Sequence, residues 1–295
     1  VVLFDMRQQA LDASRSALKK VMERLVEKGR VKVDEAKAIQ NRFTYATEIN
    51  AFADCGLVIE AVIEDLAIKK QLFEQLGSTV GPNAILATNT SSLSVTSIAA
   101  ACKLPERVIG LHFFNPAPLL PLVEVVPGLA THEQHTKACV ALMKAWGKTP
   151  VIAKDTPGFI VNRVARPFYG EALRIHEEGI ADMATIDHAM KTVGGFKMGP
   201  FELMDLIGND INFAVTSSVF KAFFYDPRYR PSLTQQRMVE ANWLGRKTGR
   251  GYYDYSTDAS LPEPKTDRDL HQMIVDRIVV MLINEAVDAL QLGIA

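Results

Sequence analysis

His112 and Glu124 are the residues best suited by type and spacing to move a proton. His112 closes the run Val108-Ile109-Gly110-Leu111, which reads as a strand, and precedes Phe113-Phe114-Asn115-Pro116. Glu124 lies twelve residues on, inside Leu122-Val123-Glu124-Val125-Val126. A histidine at the C-terminal end of a strand sits where open α/β sheets bind ligands. A glutamate flanked by two apolar residues on each side is costly to bury without a partner. Pairing the two would meet that cost, orient the imidazole and favour its protonated form, as general acid–base chemistry requires. The alternative is an ordinary structural histidine in an apolar neighbourhood.

Asn89-Thr90-Ser91-Ser92 also follows a strand, Ala84-Ile85-Leu86-Ala87, so its small polar groups should face the same crevice. Their commoner use is to cap the short helix that begins near Val95. Asn162 stands alone as a polar residue in an apolar helical run and could project into a cleft or bond locally. Asp5 ends the strand Val1-Val2-Leu3-Phe4 and feeds a helix at once. In dinucleotide-binding units an acid so placed bonds the adenosine ribose and disfavours a 2′-phosphate, although Arg7 nearby weakens that last inference. An ordinary strand-end aspartate is the plainer alternative. Lys19, Lys20, Lys28 and Arg30 make the first helix basic toward its end, either as a solvated face or to attract phosphates.

These groups need elements to position them. Up to Ala153 strand-like and helix-like segments alternate: Leu57-Val58-Ile59, a helix through Ile68, Leu72 and Leu76, the strands before Asn89 and His112, then helix Glu133 to Trp146 and strand Thr149 to Ala153. Alternation of this kind predicts an open sheet with helices on its faces. After Asp155-Thr156-Pro157-Gly158 the segments become long, amphipathic and helical. The sequence therefore divides into an α/β domain over residues 1–155 and a helical domain over 156–255. Residues 256–267, polar and proline-containing, read as a linker. Residues 268–295 open a second helical unit. Ile160 to Ala181 aligns without gaps on Ile274 to Ala295, with identities that include Arg163/Arg277, Glu171/Glu285 and Gly179/Gly293. The plainer account is two amphipathic helices of similar composition, but identities held in register favour a duplicated unit.

Composition narrows the function. With 33 basic against 34 acidic residues, nothing favours a nucleic-acid partner. No apolar run approaches the about 18 residues that a membrane-spanning helix needs. Cys55, Cys102 and Cys139 are too widely spaced for a zinc site or a disulfide framework, and point to a reducing, cytoplasmic setting.

With VVLFD, LVIEAVIEDLAIKK, NTSSL, GLHFFNPAPLLPLVEVV, DTPGFIVNR, MGPFELMDLIG and LGRKTGRGYYDY in place, the chain resembles the 3-hydroxyacyl-CoA dehydrogenases over essentially its whole length. Its bacterial 3-hydroxybutyryl-CoA and 3-hydroxyadipyl-CoA members look nearest. The resemblance implies a Rossmann-type NAD-binding α/β domain followed by an all-α C-terminal domain, and NAD-dependent oxidation of an (S)-3-hydroxyacyl-CoA or the reverse. It implies His112 as general base, Glu124 as its partner, and Ser91 and Asn162 as ligands to substrate oxygens. Asp5, Glu64, Lys69, Asn89, Ser91 and Lys247 would line the NAD site. Lys28 would meet the CoA phosphates, while Val21 stands where the family has a CoA-binding serine. A homodimer through the helical domain is the family's habit, and a second helical copy could fill that contact within one chain.

The resemblance also implies that roughly two dozen residues of strand and glycine-rich turn belong before Val1, by the usual spacing from fingerprint to acid. A chain starting at Val1 is accordingly expected to bind NAD weakly or not at all. Asp276 replaces Asn162 in the second copy, which therefore need not be catalytic. Two other readings stand beside the dehydrogenase: a non-catalytic protein on the same scaffold, or the dehydrogenase part of a multifunctional β-oxidation polypeptide. Acyl length is not legible in the sequence; Lys197 or Arg166 at a pocket end would suit a terminal carboxylate.

Overall fold

The computed structural model describes residues 1–260 and 262–295. Strand β1 (Val2–Phe4) feeds α1 (Gln8–Glu27), which buries Leu11 and Met22 on one stripe; α2 (Val33–Asn41) and β2 (Thr44–Ala46) follow. β2 returns parallel to β1, and the two form a sheet of their own. Neither α2 nor β2 is foreseen from the sequence, because both are short and weakly patterned.

A five-stranded sheet carries the chemistry. It is built from β3 (Leu57–Glu60), β4 (Ile85–Thr88), β5 (Val108–Phe113), β6 (Leu122–Pro127) and β7 (Thr149–Ile152), in that spatial order. All neighbours are parallel except β5 and β6, whose antiparallel register sets His112 opposite Glu124. Between these strands run α3 (Leu66–Thr79), α4 (Val95–Ala99) and α5 (Glu133–Ala145). Successive residues on a strand point to opposite faces, and the core divides accordingly. Leu86 and Val108 pack with Phe73, Leu76 and Ile98 on the α3–α4 side. Ala87 and Ile109 join Val125, Cys139 and Met143 on the α5 side. Gly110 is required where α4 crosses β5: a Cβ there would lie 2.9 Å from Val126 and 3.0 Å from Val95.

The helical part comprises α6 (Val161–Glu177), α7 (Met183–Thr192), α8 (Pro200–Ile207), α9 (Asn209–Ala222), α10 (Leu233–Glu240) and α11 (Arg268–Gln291). Asp182 and Ser232 cap α7 and α10. The sequence places α11 in a separate unit, yet Ile274, Val275 and Ile278 enter the same core as Phe168, Ala172 and Ile175 of α6. The 256–267 segment, of which residue 261 lies outside the described residues, is pinned where Lys265 donates its backbone N–H to Thr185 Oγ1 at 2.9 Å.

Candidate active site

Two strand ends and the middle of a third strand converge. At the end of β5 and in the middle of β6, His112 Nδ1 lies 2.6 Å from Glu124 Oε2, with both residues almost fully buried. The other carboxylate oxygen, Oε1, accepts backbone N–H bonds of 2.9 Å from both Ile160 and Val161 at the start of α6. A helix N-terminus offers unpaired N–H groups, and this carboxylate oxygen accepts two of them. Phe114 and Phe159 wall the imidazole, with ring centroids 4.5 Å and 5.8 Å away. With Nδ1 committed to Glu124, Nε2 is the nitrogen left for a reacting proton.

At the end of β4, Asn89 Oδ1 accepts the Phe113 N–H at 2.8 Å, tying the turn to the residue after His112. Ser91 and Ser92 do not cap α4. That role falls to Ser94, and to Asp155, whose carboxylate accepts the N–H groups of Val95 at 2.9 Å and Thr96 at 2.7 Å. Ser91 and Ser92 instead surround Glu64, whose Oε1 accepts from Thr90 Oγ1 at 2.6 Å and from the Ser91 N–H at 2.8 Å. Burial alone would raise the Glu64 carboxyl, but bonds from Thr90 and Ser91 and the Lys69 ammonium outweigh it and hold it below its ordinary range. Asn162 Nδ2 donates to the Ser91 carbonyl at 3.0 Å, so the helical part closes over this turn. Asn162 thus meets the Ser91 turn one residue after Val161, whose N–H holds Glu124.

The remaining residues lie around or away from these groups. Lys69 is buried, its ammonium 2.6 Å from Glu60 and 3.4 Å from Glu64, and Glu60 also accepts from Thr88 Oγ1 at 2.7 Å. Glu60 was not foreseen, because an acid at the end of β3 gives no sign that it turns inward. Asp5 accepts from the Arg7 backbone N–H at 2.8 Å, a bond that holds its carboxyl below the usual range. Lys28 is exposed at the C-terminal end of α1. Lys247 grips Asp210 at 2.6 Å, and among the described residues no bond links it to His112 or Ser91. Asp155 carries no functional signal in the sequence beyond its place at the domain boundary.

A mostly parallel sheet that holds a carboxylate-backed histidine at a strand end, roofed by a helical unit, defines an α/β nucleotide-binding protein with an acid–base centre. Residues 1–156 match the 3-hydroxyacyl-CoA dehydrogenase NAD binding domain, and residues 158–255 match the C-terminal domain of the same enzymes. The chain belongs to the 3-hydroxyacyl-CoA dehydrogenase family. It is 48% identical over 258 residues to a 3-hydroxyadipyl-CoA dehydrogenase of Escherichia coli K12, covering 88% of this chain and 54% of that one. The chain thus spans about half the length of that relative. A probable 3-hydroxybutyryl-CoA dehydrogenase of Deinococcus radiodurans is 40% identical over 255 residues, covering 86% of this chain and 91% of the other. The crystal structure of a 3-hydroxybutyryl-CoA dehydrogenase from E. coli K12 superposes with a TM-score of 0.92 at 37% identity, over all of this chain and 80% of that one.

Proposed function

We propose that this protein oxidises (S)-3-hydroxyacyl-CoA to 3-ketoacyl-CoA, or runs the reverse, with NAD as the redox partner. The observation that carries the reading is the 2.6 Å His112–Glu124 pair, backed by two α6 N–H groups. His112 Nε2 takes the proton of the 3-hydroxyl as the carbonyl forms at carbon 3. Glu124 stabilises the imidazolium and fixes which nitrogen reacts. When bound, NAD accepts the hydride that leaves carbon 3. Ser91 and Asn162 bond the substrate oxygens and hold carbon 3 against the histidine.

The residues present fit the adenosine ribose and the strand-end crevice of an NAD site. Arg7 engages only Oδ1 of the half-exposed Asp5, so Oδ2 is available to ribose hydroxyls. Asn89, Ser91 and Glu64 lie at the strand-end crevice. Lys69 serves the cofactor through Glu64, and Lys247 is assigned to the same site. Lys28 is assigned to the CoA phosphates. Fatty-acid β-oxidation in the cytoplasm is the setting of this reading, supported by three free cysteines. A homodimer through the helical domain, or its replacement within one chain by α11, belongs to the same reading. The test is acetoacetyl-CoA-dependent oxidation of NADH by the full-length protein and by its His112→Gln variant. Turnover should fall by about 10²–10⁴-fold in the variant; equal turnover would refute the assignment.

A further inference from the structure

Arg166 is a cation without a counter-charge. It lies on α6 one turn beyond Asn162, is only 6% exposed, and has no carboxylate within 4.0 Å among the described residues. Its Nε donates to the Asn162 carbonyl at 3.1 Å, and its Nη1 to Thr216 Oγ1 at 3.1 Å and, at 3.5 Å, to the Asn212 carbonyl. The Tyr169 ring lies 4.8 Å from Cζ and gives partial compensation. Burial pushes the guanidinium below its ordinary value. Nη2 has no protein partner among the described residues. Beside it, the buried Asn212 Nδ2 is a further donor without an acceptor. This corner of the helical domain offers donors and positive charge with nothing negative to receive them, an arrangement costly unless a ligand completes it.

Other arginines of the domain differ: Arg163 meets Glu285, Arg174 meets Glu171, and Arg277 meets Glu171 and Glu178, while Arg230, Arg246 and Arg250 are exposed. Lys197, the alternative cation, is exposed at the rim of an apolar cavity of about 750 Å³ between α6 and α11, where water satisfies it.

We propose that Arg166 receives the terminal carboxylate of a dicarboxylic acyl chain, making the protein selective for short 3-hydroxyacyl-CoA substrates that end in a carboxylate. The proposal rests on the dehydrogenase reading given above. Asn162 and Arg166 are four residues apart on one helix face, and the guanidinium folds back to within 3.1 Å of the Asn162 carbonyl. A short chain whose carbon 3 oxygen meets the Asn162 amide thus runs toward the guanidinium, which a terminal carboxylate meets through a charge-assisted hydrogen bond. A six-carbon diacid is the substrate tested. A monocarboxylic chain of the same length would leave the guanidinium unpaired against a methyl group.

The experiment compares kcat/KM for 3-hydroxyadipyl-CoA and 3-hydroxyhexanoyl-CoA in the full-length protein and in its Arg166→Met and Arg166→Lys variants. Calorimetric binding of adipyl-CoA and hexanoyl-CoA, which lack the reacting hydroxyl, reads the same preference without turnover. The unaltered protein should favour the diacid in both measurements. Arg166→Met should lower the diacid-to-monoacid ratio about 10- to 100-fold, the worth of one hydrogen bond to a charged group. Arg166→Lys should restore part of it. A ratio unchanged by Arg166→Met overturns the proposal while leaving the dehydrogenase reading intact. Absence of turnover of either substrate by the unaltered protein, with no acyl-CoA bound, overturns both.

Discussion

Arg163 on α6 and Glu285 on α11 form a buried ion pair, and its reciprocal, Arg277 with Glu171, closes at 3.1 Å across the same helix–helix contact. The four residues occupy equivalent places in the two aligned segments, so each helix gives its arginine to the other's glutamate. That is the pattern of a two-fold interface, in which residue i meets j and j meets i. Tyr229 and Arg228 add further bonds to the Glu285 carboxylate.

Glu285→Ala leaves the Arg163 guanidinium buried without its partner. The expected loss is about 3–5 kcal/mol of unfolding free energy, whereas joint replacement of both residues by apolar side chains of similar volume costs much less. Denaturant unfolding of the two single variants and the double variant measures the difference. A loss in the double variant equal to the sum of the two single losses would show that the pair does not act as a unit.

Glu124→Gln should damage stability and catalysis together. A glutamine has only one oxygen, and that oxygen cannot serve both the α6 N–H groups and His112. Turnover is expected to fall about 10- to 100-fold, the kinetic equivalent of one charge-assisted bond, and the pH–rate profile should move. Thermal melting should fall as well, since two N–H groups of α6 lose a charged acceptor. A variant with normal melting and an unaltered profile would refute the shared role of the carboxylate.

Asn162→Asp introduces into the first copy the residue that the second copy carries at Asp276. The new carboxylate would face the Ser91 carbonyl in place of the 3.0 Å amide bond. kcat/KM should drop by about 10-fold or more, with little change in the far-ultraviolet circular dichroism. Full retention of kcat/KM would show that the Asn162–Ser91 bond does not organise the site.

Glu64 gives the β4 turn a pH dependence. Its folded carboxyl is held below the ordinary glutamate value of about 4.5 despite burial. The stabilisation is therefore complete above that value and is lost as the pH falls through the lower, folded one. Amide exchange at Ser91 and Ser92 should accelerate in this acid window, and Glu64→Gln should remove the step. Exchange independent of pH after correction for its intrinsic rate would count against this.

The alternation of strand and helix, and the His112–Glu124 pair, are legible in the sequence because both have local signals. A strand-end histidine and an acid inside an apolar run each announce an unusual environment. Other features carry no such signal. Asp155 binds α4 across 60 residues, Lys69 is buried by Glu60 and Glu64 on a neighbouring strand and loop, and α11 folds back onto α6. Each depends on which elements become neighbours in space, and periodicity does not encode that. Arg166 is the intermediate case. Its type suggests an anion partner, but only the packing of α6 against α9 shows that the protein supplies none.

One carboxylate, that of Glu124, bonds the imidazole with one oxygen and the first turn of α6 with the other. Immediately before that turn the backbone passes through Gly158 at φ +74° and Phe159 at φ +49°, while Asp155 stays fastened to α4. Any rotation of the helical roof about this short segment would drag the glutamate and retune the ring it orients. The angle between the two halves of the molecule and the readiness of the base are therefore a single mechanical coordinate.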